Sequence, residues 1–557
     1  VTSAHGNSAG PTRANPLAPS WLTVPDDVNA LAPGLWPADA ARAGTDSAES
    51  GALTIGGVGL AELVERFGTP SYVLSEREFR ARARAFADAF TKAFASGSPD
   101  QRTTVDVYYA GKAFLCTAVA RWVEQEGLNL DTASGGELLV ALRAGVPGAR
   151  IGLHGNNKSD AELRRALTAG VGRIVADSLP EIDRIDALAG EAGVRAPVML
   201  RLTPGVHAHT HDFIATAHED QKFGLSLAGE SGGAGQPGAS GAGESGGASG
   251  AGESGGASGA GESGGAGGAG DGASPAGSPA EAAVDAALAA PNVDLIGVHC
   301  HIGSQIFEPD GFEAAARRLL AFLAHVKDRH GVELPELDLG GGYGIAYLPT
   351  DTPREPADIA AATAAVVRET CAELGLAVPR ISIEPGRAIV GTAGITLYTV
   401  GTIKDVRVDL DAVPTGQEDD DGIGGSEQTA VRRYVSVDGG MSDNPRPVLY
   451  DADYTAVLAS RTSTAAPVLC RVVGKHCESG DIVVRDVYLP ADLHPGDVLA
   501  VPATGAYCWS LSSNYNYLPR PGVTAVRDGS ARPIVRAETE ADLLARDVPE
   551  PAGNEGV

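Results

Sequence analysis

The chain has 557 residues, 43% of them hydrophobic, and its 43 Lys and Arg against 71 Asp and Glu give a formal charge of −28. That length suits about three or four domains, or one large barrel of roughly 250 residues with companions, and the acidic balance argues against a nucleic-acid partner, which would meet a basic face. No run approaches the roughly 18 apolar residues that cross a bilayer and the start lacks a basic-then-apolar secretory pattern, so a cytoplasmic protein is expected. The six cysteines lack C-x-x-C spacing, which favours separate thiols over a disulfide framework or a zinc site.

Residues 1–50 are rich in Pro, Ala and Gly and read as a loose N-terminal arm. Residues 51–95 form a lead-in segment expected to pack partly with a β domain. Within it the pattern from Leu60 to Ala95 predicts helix, with Phe79, Phe86 and Phe90 along one stripe. A regular alternation then fills residues 96–390. Short apolar runs at Val105–Tyr109, Leu128–Leu130, Arg150–Leu153, Arg173–Ala176, Val198–Leu202, Leu295–His299, Leu337–Leu339 and Ile381–Ile383 are each followed by polar or glycine-rich residues and usually a helical stretch. Eight such units in series predict an α/β fold, an eight-stranded parallel (β/α)8 barrel whose active site lies at the carboxyl ends of the strands. The unusual residues fall there: Lys112, Ser134 to Glu137, His154 to Lys158, His301 to Gln305, Gly340 to Gly344, and Glu384 to Arg387.

Residues 228–279 interrupt the barrel with a Gly/Ala/Ser/Glu tract whose nine-residue repeat starts at Glu244, Glu253 and Glu262. It has no side chains with which to build a core and reads as a disordered surface insertion. The alternate histidines His207, His209 and His211 invite a metal reading, but no thiol or carboxylate completes a set, and a loop near the site mouth is expected instead. Residues 391–540 alternate in strand fashion and predict a second, mainly antiparallel β domain, with an acidic loop at 413–429 and a tail at 541–557.

Lys112, Glu384 and the triple glycine together suggest pyridoxal 5'-phosphate (PLP). That cofactor needs a lysine for its aldehyde, a carboxylate to keep its ring nitrogen protonated, and backbone amides around its phosphate. Lys112 supplies the amine and Glu384 the carboxylate. Gly340, Gly341 and Gly342, with Ser304 and Arg387 nearby, supply the phosphate site, and His301 can lie flat on the ring.

The ordered motifs Tyr109-Ala-Gly-Lys112-Ala, His299-Cys-His301-Ile-Gly-Ser304-Gln, Leu339-Gly-Gly-Gly-Tyr343-Gly, Glu384-Pro-Gly-Arg387, Val437 to Arg446, Cys477-Glu478-Ser-Gly-Asp481 and Gly505-Ala-Tyr507 closely resemble the PLP enzymes of alanine-racemase-like fold. Within these, the chain resembles the diaminopimelate decarboxylase family of actinobacterial type, from about Leu53 to Arg536. The resemblance implies decarboxylation of meso-2,6-diaminopimelate to L-lysine and CO2, the last step of lysine biosynthesis, through an external aldimine of PLP. It implies Lys112 as the PLP lysine, His301 against the ring, Ser304 and Gly340 to Gly342 at the phosphate, and Glu384 on the ring nitrogen. Tyr507 would reach cofactor and substrate, while Arg387, Arg446 and Tyr450 would bind substrate. Cys477 and Glu478 would enter the site from a second subunit, which implies a homodimer.

The residue chemistry is consistent with this. A distal carboxylate suits the guanidinium forks of Arg387 and Arg446, and a distal ammonium suits Glu478. A thiol, with an ordinary pKa near about 8.5, can protonate a carbanion, which gives Cys477 its catalytic role. Two alternatives stay open on sequence alone: a decarboxylase of ornithine, arginine or carboxynorspermidine on the same fold, and a non-catalytic PLP-binding protein.

Overall fold

The computed structural model describes residues 15–44, 51–205, 222–228, 276–410 and 429–548. The low-complexity tract from 229 to 275, the three alternate histidines and the acidic loop lie outside them.

Eight strands close into an all-parallel barrel: Val105–Ala110, Asn129–Thr132, Ile151–Leu153, Arg173–Ala176, Ala196–Thr203, Val293–His299, Glu336–Asp338 and Arg380–Ile383. Closure comes where Ile381 to Ile383 pair with Val105 to Val107. The helices between them have chemically marked ends. Ser134 and Ser159 accept the N–H of Glu137 and Glu162 at their N-termini, and Gly145, Gly170, Gly193, Gly331 and Gly375 end helices in the left-handed region. The eighth outer position is taken by the helix Glu76–Ala95, which precedes the first strand and packs on Pro356–Leu374. Its Phe79, Phe86, Phe90 and Phe94 are fully buried, so the apolar stripe read from the sequence is the face turned to the barrel.

The helical pattern expected from Leu60 to Ala95 is broken. Leu60–Phe67 and Glu76–Ala95 are helices, but Ser71–Ser75 is a strand with all five residues buried. Gly68, at φ 70°, ends the first helix and Pro70 follows. The strand then joins the second sheet, whose order is Ile482–Pro490, Pro467–Val473, Thr429–Val437, Gly394–Asp409, Ser71–Ser75, Val523–Arg527, Ser530–Val535. Most neighbours are antiparallel; Thr429–Val437 with Pro467–Val473, and Ser71–Ser75 with Val523–Arg527, are parallel. Thr429–Val437 pairs back on Gly394–Asp409 as a hairpin, and the acidic segment joins the two.

The N-terminal arm is not loose throughout. Within residues 15–44, Leu35 and Trp36 are buried, Ala40–Arg42 pairs with Leu53–Ile55, and Asn29 exchanges 2.8 Å hydrogen bonds with the main chain of Ser463. These contacts, with Arg42 donating to the carbonyl oxygens of Asn29, Gly51 and Leu458, tie the segment to the rest of the chain. No helix among the described residues is long and apolar enough to cross a membrane.

Candidate active site

At the carboxyl ends of the barrel strands lies a cavity of about 240 Å³, lined among others by Lys112, Asp131, His154, Arg201, His301 and Glu384. Lys112 sits in the single turn Gly111–Ala113 that ends the first strand, with its side chain exposed to this space. Glu384 follows the eighth strand and is almost wholly buried.

Glu384 Oε1 lies 3.2 Å from His154 Nε2 and 3.2 Å from His299 Nε2, and His154 Nε2 is also 3.2 Å from Asp131 Oδ1. Burial alone would raise the Glu384 pKa, but the two imidazoles hold it well below the usual carboxylate range. Burial would lower His154; the carboxylates of Glu384 and Asp131 reverse that and push it up to about 9, whereas burial takes His299 down to about 4. At neutral pH a carboxylate and an imidazolium therefore line the cavity together. These contacts are close in charge terms but lack good hydrogen-bond geometry, so Glu384 Oε1 remains a buried acceptor without a donor among the described residues.

His301 accepts the N–H of Gly341 through Nδ1 at 3.3 Å, which ties it to the triple glycine. Burial, and then the neighbouring Lys112 ammonium, push its pKa well down, so the ring is a neutral face. Gly340 and Gly342 have φ of 69° and 110°, and a Cβ on either would fall within 2.4 Å of a backbone oxygen; only glycine makes this approach. The Gly340 N–H donates to Asp338 Oδ1 at 2.7 Å. The first two of the three glycines expected at a phosphate thus already direct their N–H groups to partners within the chain.

Arg387 donates to Ser304 Oγ at 2.9 Å and to the Tyr347 hydroxyl, and its guanidinium lies 4.7 Å over the Tyr507 ring. Arg446 donates to the Tyr454 hydroxyl and lies 4.4 Å over the Tyr347 ring. Both arginines are more than nine-tenths buried, and neither has a carboxylate within 4.0 Å among the described residues. The third buried arginine, Arg173, does have one, in Asp338 at 3.0 Å. A buried charge is costly without a counter-ion, so this pair marks a place for an anion.

Cys477, Glu478 and Tyr450 are exposed and, like Ser304, Gly340 to Gly342, Arg387, Arg446 and Tyr507, are not among the residues that line the Lys112 cavity. The turn carrying Cys477 is held from below: His476 Nδ1 lies 2.9 Å from Asp481 Oδ2, the His476 ring stacks on Tyr515, and the Cys477 N–H donates to Asn516 Oδ1.

Residues 77–234 and 272–391 match the family described as pyridoxal-dependent decarboxylase, pyridoxal binding domain. The chain is 47% identical over 522 residues to a diaminopimelate decarboxylase of Mycobacterium tuberculosis, covering 93% of this chain and 98% of that relative. The chain belongs to the diaminopimelate decarboxylase family. The counterpart from Corynebacterium efficiens is 43% identical, with 94% and 96% of the two chains covered. The solved decarboxylase from M. jannaschii in complex with L-lysine superposes with a TM-score of 0.73 at 29% identity, covering 92% of this chain and 99% of that one.

PLP is the cofactor of this decarboxylase family, and the residues present fit it: an amine, an ionised buried acceptor and a neutral ring around one cavity, beside glycines that admit no side chain. Sequence reasoning left four neighbours without roles, Asp131, His154, Tyr347 and Tyr454. Asp131 is the last residue but one of its barrel strand and His154 follows the next strand, so the rule that singled out Lys112 reaches them as well.

Proposed function

We propose that the enzyme decarboxylates meso-2,6-diaminopimelate to L-lysine and CO2. The supporting observation is the pair of buried arginines, Arg387 and Arg446, that have no carboxylate partner among the described residues. A substrate with a second carboxylate completes their charge. Ornithine lacks that group and would leave both guanidinium ions buried and unpaired.

In this mechanism Lys112 Nζ would hold the cofactor through its aldehyde, at the cavity that the substrate's amine enters. PLP, when bound, supplies a sink for the electrons left at the α-carbon as CO2 departs. Glu384, kept ionised by the His154 imidazolium, would supply the carboxylate that keeps the cofactor's ring nitrogen protonated. His301 would cover the ring face, and Ser304 with the segment Gly340 to Gly342 would hold the phosphate end. Arg387 and Arg446 would fix the distal carboxylate, assisted by the exposed Tyr450 at the other end of the short helix that Arg446 begins, and Tyr507 would close the site over Arg387.

Protonation of the α-carbon falls to Cys477 Sγ, and recognition of the distal ammonium to Glu478. We assign both to the opposite protomer of a homodimer. Their exposure, beside the exposed rings of Tyr515 and Tyr517, supports a surface that a second copy covers. A cytoplasmic setting is supported by six cysteines that are all free thiols.

The test is CO2 release from meso-diaminopimelate compared with ornithine, arginine and carboxynorspermidine under one set of conditions. A preference for diaminopimelate is expected. A preference for ornithine overturns the proposal, and PLP binding without any turnover would point to the non-catalytic alternative.

A further inference from the structure

Tyr347 lies a few residues beyond the triple glycine, in Gly344-Ile-Ala-Tyr347, and is buried between the two arginines. Its hydroxyl accepts a hydrogen bond from Arg387 Nη1. Its ring face carries the Arg446 guanidinium 4.4 Å from the centroid. The Tyr454 ring, whose hydroxyl accepts from Arg446, stands edge-on to the Tyr347 ring with centroids 5.2 Å apart. The backbone is fixed as well, because the N–H groups of Tyr347 and Leu348 donate to Asp351 Oδ2 at 2.8 and 2.9 Å.

One phenol thus orients two guanidinium groups in two ways, by its oxygen and by its π face. This matters because a guanidinium recognises a carboxylate through a planar fork, and the fork is selective only when its plane is held. Neither arginine has a carboxylate to hold it among the described residues, so apart from Ser304 Oγ on Arg387 the task falls to aromatic groups.

We propose that Tyr347 is a specificity-determining positioning residue, which sets the two arginines for the distal carboxylate of the substrate. This rests on the reading of Arg387 and Arg446 as the distal carboxylate site. Tyr347 touches no reacting atom; it acts on ground-state recognition, so it should move KM and leave kcat.

Three ligands separate the possibilities. Meso-diaminopimelate carries the distal carboxylate; L-lysine, formed by loss of one carboxylate, retains the other; cadaverine has both amines and neither carboxylate. In the holoenzyme Tyr347→Phe, which keeps the buried ring, KM for diaminopimelate and the inhibition constant of L-lysine are expected to rise about ten-fold, the effect of one charge-assisted hydrogen bond. The kcat and the inhibition constant of cadaverine should stay within about two-fold. In an Arg387→Lys background the same substitution should add less than about two-fold, because its effect runs through that guanidinium.

An unchanged KM for diaminopimelate in Tyr347→Phe overturns the proposal, as does a parallel weakening of cadaverine, which would show a general loss of site structure. Arg446→Met separates the two levels. If it weakens diaminopimelate and L-lysine while Tyr347→Phe weakens neither, only the role of Tyr347 falls. If Arg446→Met weakens neither, the arginine reading falls and Tyr347 with it.

Discussion

The main-chain N–H of Tyr507 donates to the carbonyl oxygen of Ala113 at 2.9 Å, and Ser510 Oγ donates to the same oxygen at 3.0 Å. The β domain thereby holds the residue next to Lys112 directly. Tyr507 adopts φ 64°, an uncommon conformation for a tyrosine, and the same residue lays its ring against Arg387. The turn that carries Lys112 and the guanidinium of Arg387, the residues proposed for cofactor and substrate, are therefore linked through one residue of the second domain. Ser510→Ala removes one of the two donors to Ala113 and is expected to cost about 1 kcal/mol of stability. Urea unfolding of wild type and variant measures this; equal midpoints would show that Ser510 contributes nothing there.

Arg446 carries a stability prediction opposite in sign to its functional one. A buried guanidinium without a carboxylate is a burden on the empty protein, so Arg446→Met is expected to leave the apo melting temperature unchanged or raise it. The same substitution should raise KM for diaminopimelate about 100-fold, equivalent to ~3 kcal/mol. Calorimetry of the apo protein and steady-state kinetics of the holoenzyme check the two halves.

The pairing of His154 with Glu384 sets a pH dependence. The folded His154 pKa is pushed up to about 9 from an ordinary value near 6.5, so its contribution to stability is fully present below about 6.5 and is lost as pH rises through about 9. Glu384 is shifted the other way and contributes above the usual carboxylate range. The melting-temperature difference between wild-type apo protein and His154→Gln should therefore be large at pH 6 and small at pH 10. A difference that does not vary with pH would mean that His154 is not the charged partner of Glu384.

Cys477→Ala is expected to lower kcat by about 10² to 10⁴ with PLP still bound, the usual worth of a positioned proton donor. Mixing it with Lys112→Ala under conditions that exchange subunits should restore activity, because each mixed dimer regains one complete site. Failure to restore any activity would place both residues within one protomer's site.

The barrel was legible because each strand is a short apolar run whose polar successors gather at one end, and Lys112, His154 and Glu384 all follow that rule. The strand Ser71–Ser75 was not, because what makes it a strand is a neighbour at Gly394–Asp409, far along the chain. Trp36 was hidden in a Pro/Ala/Gly composition that speaks of looseness on average and says nothing about one anchor. Tyr347 and Tyr454 were invisible for a different reason. A tyrosine among apolar residues reads as core, and only the arginines packed against both rings show what they hold.

Borohydride reduction of the PLP-loaded enzyme followed by peptide mapping tests the placement of the cofactor most directly. The pyridoxyl label is expected on Lys112, at the end of the first barrel strand and on the cavity shared with Glu384 and His301. A label on any other lysine would contradict that placement, and with it the roles given to every residue around the cavity.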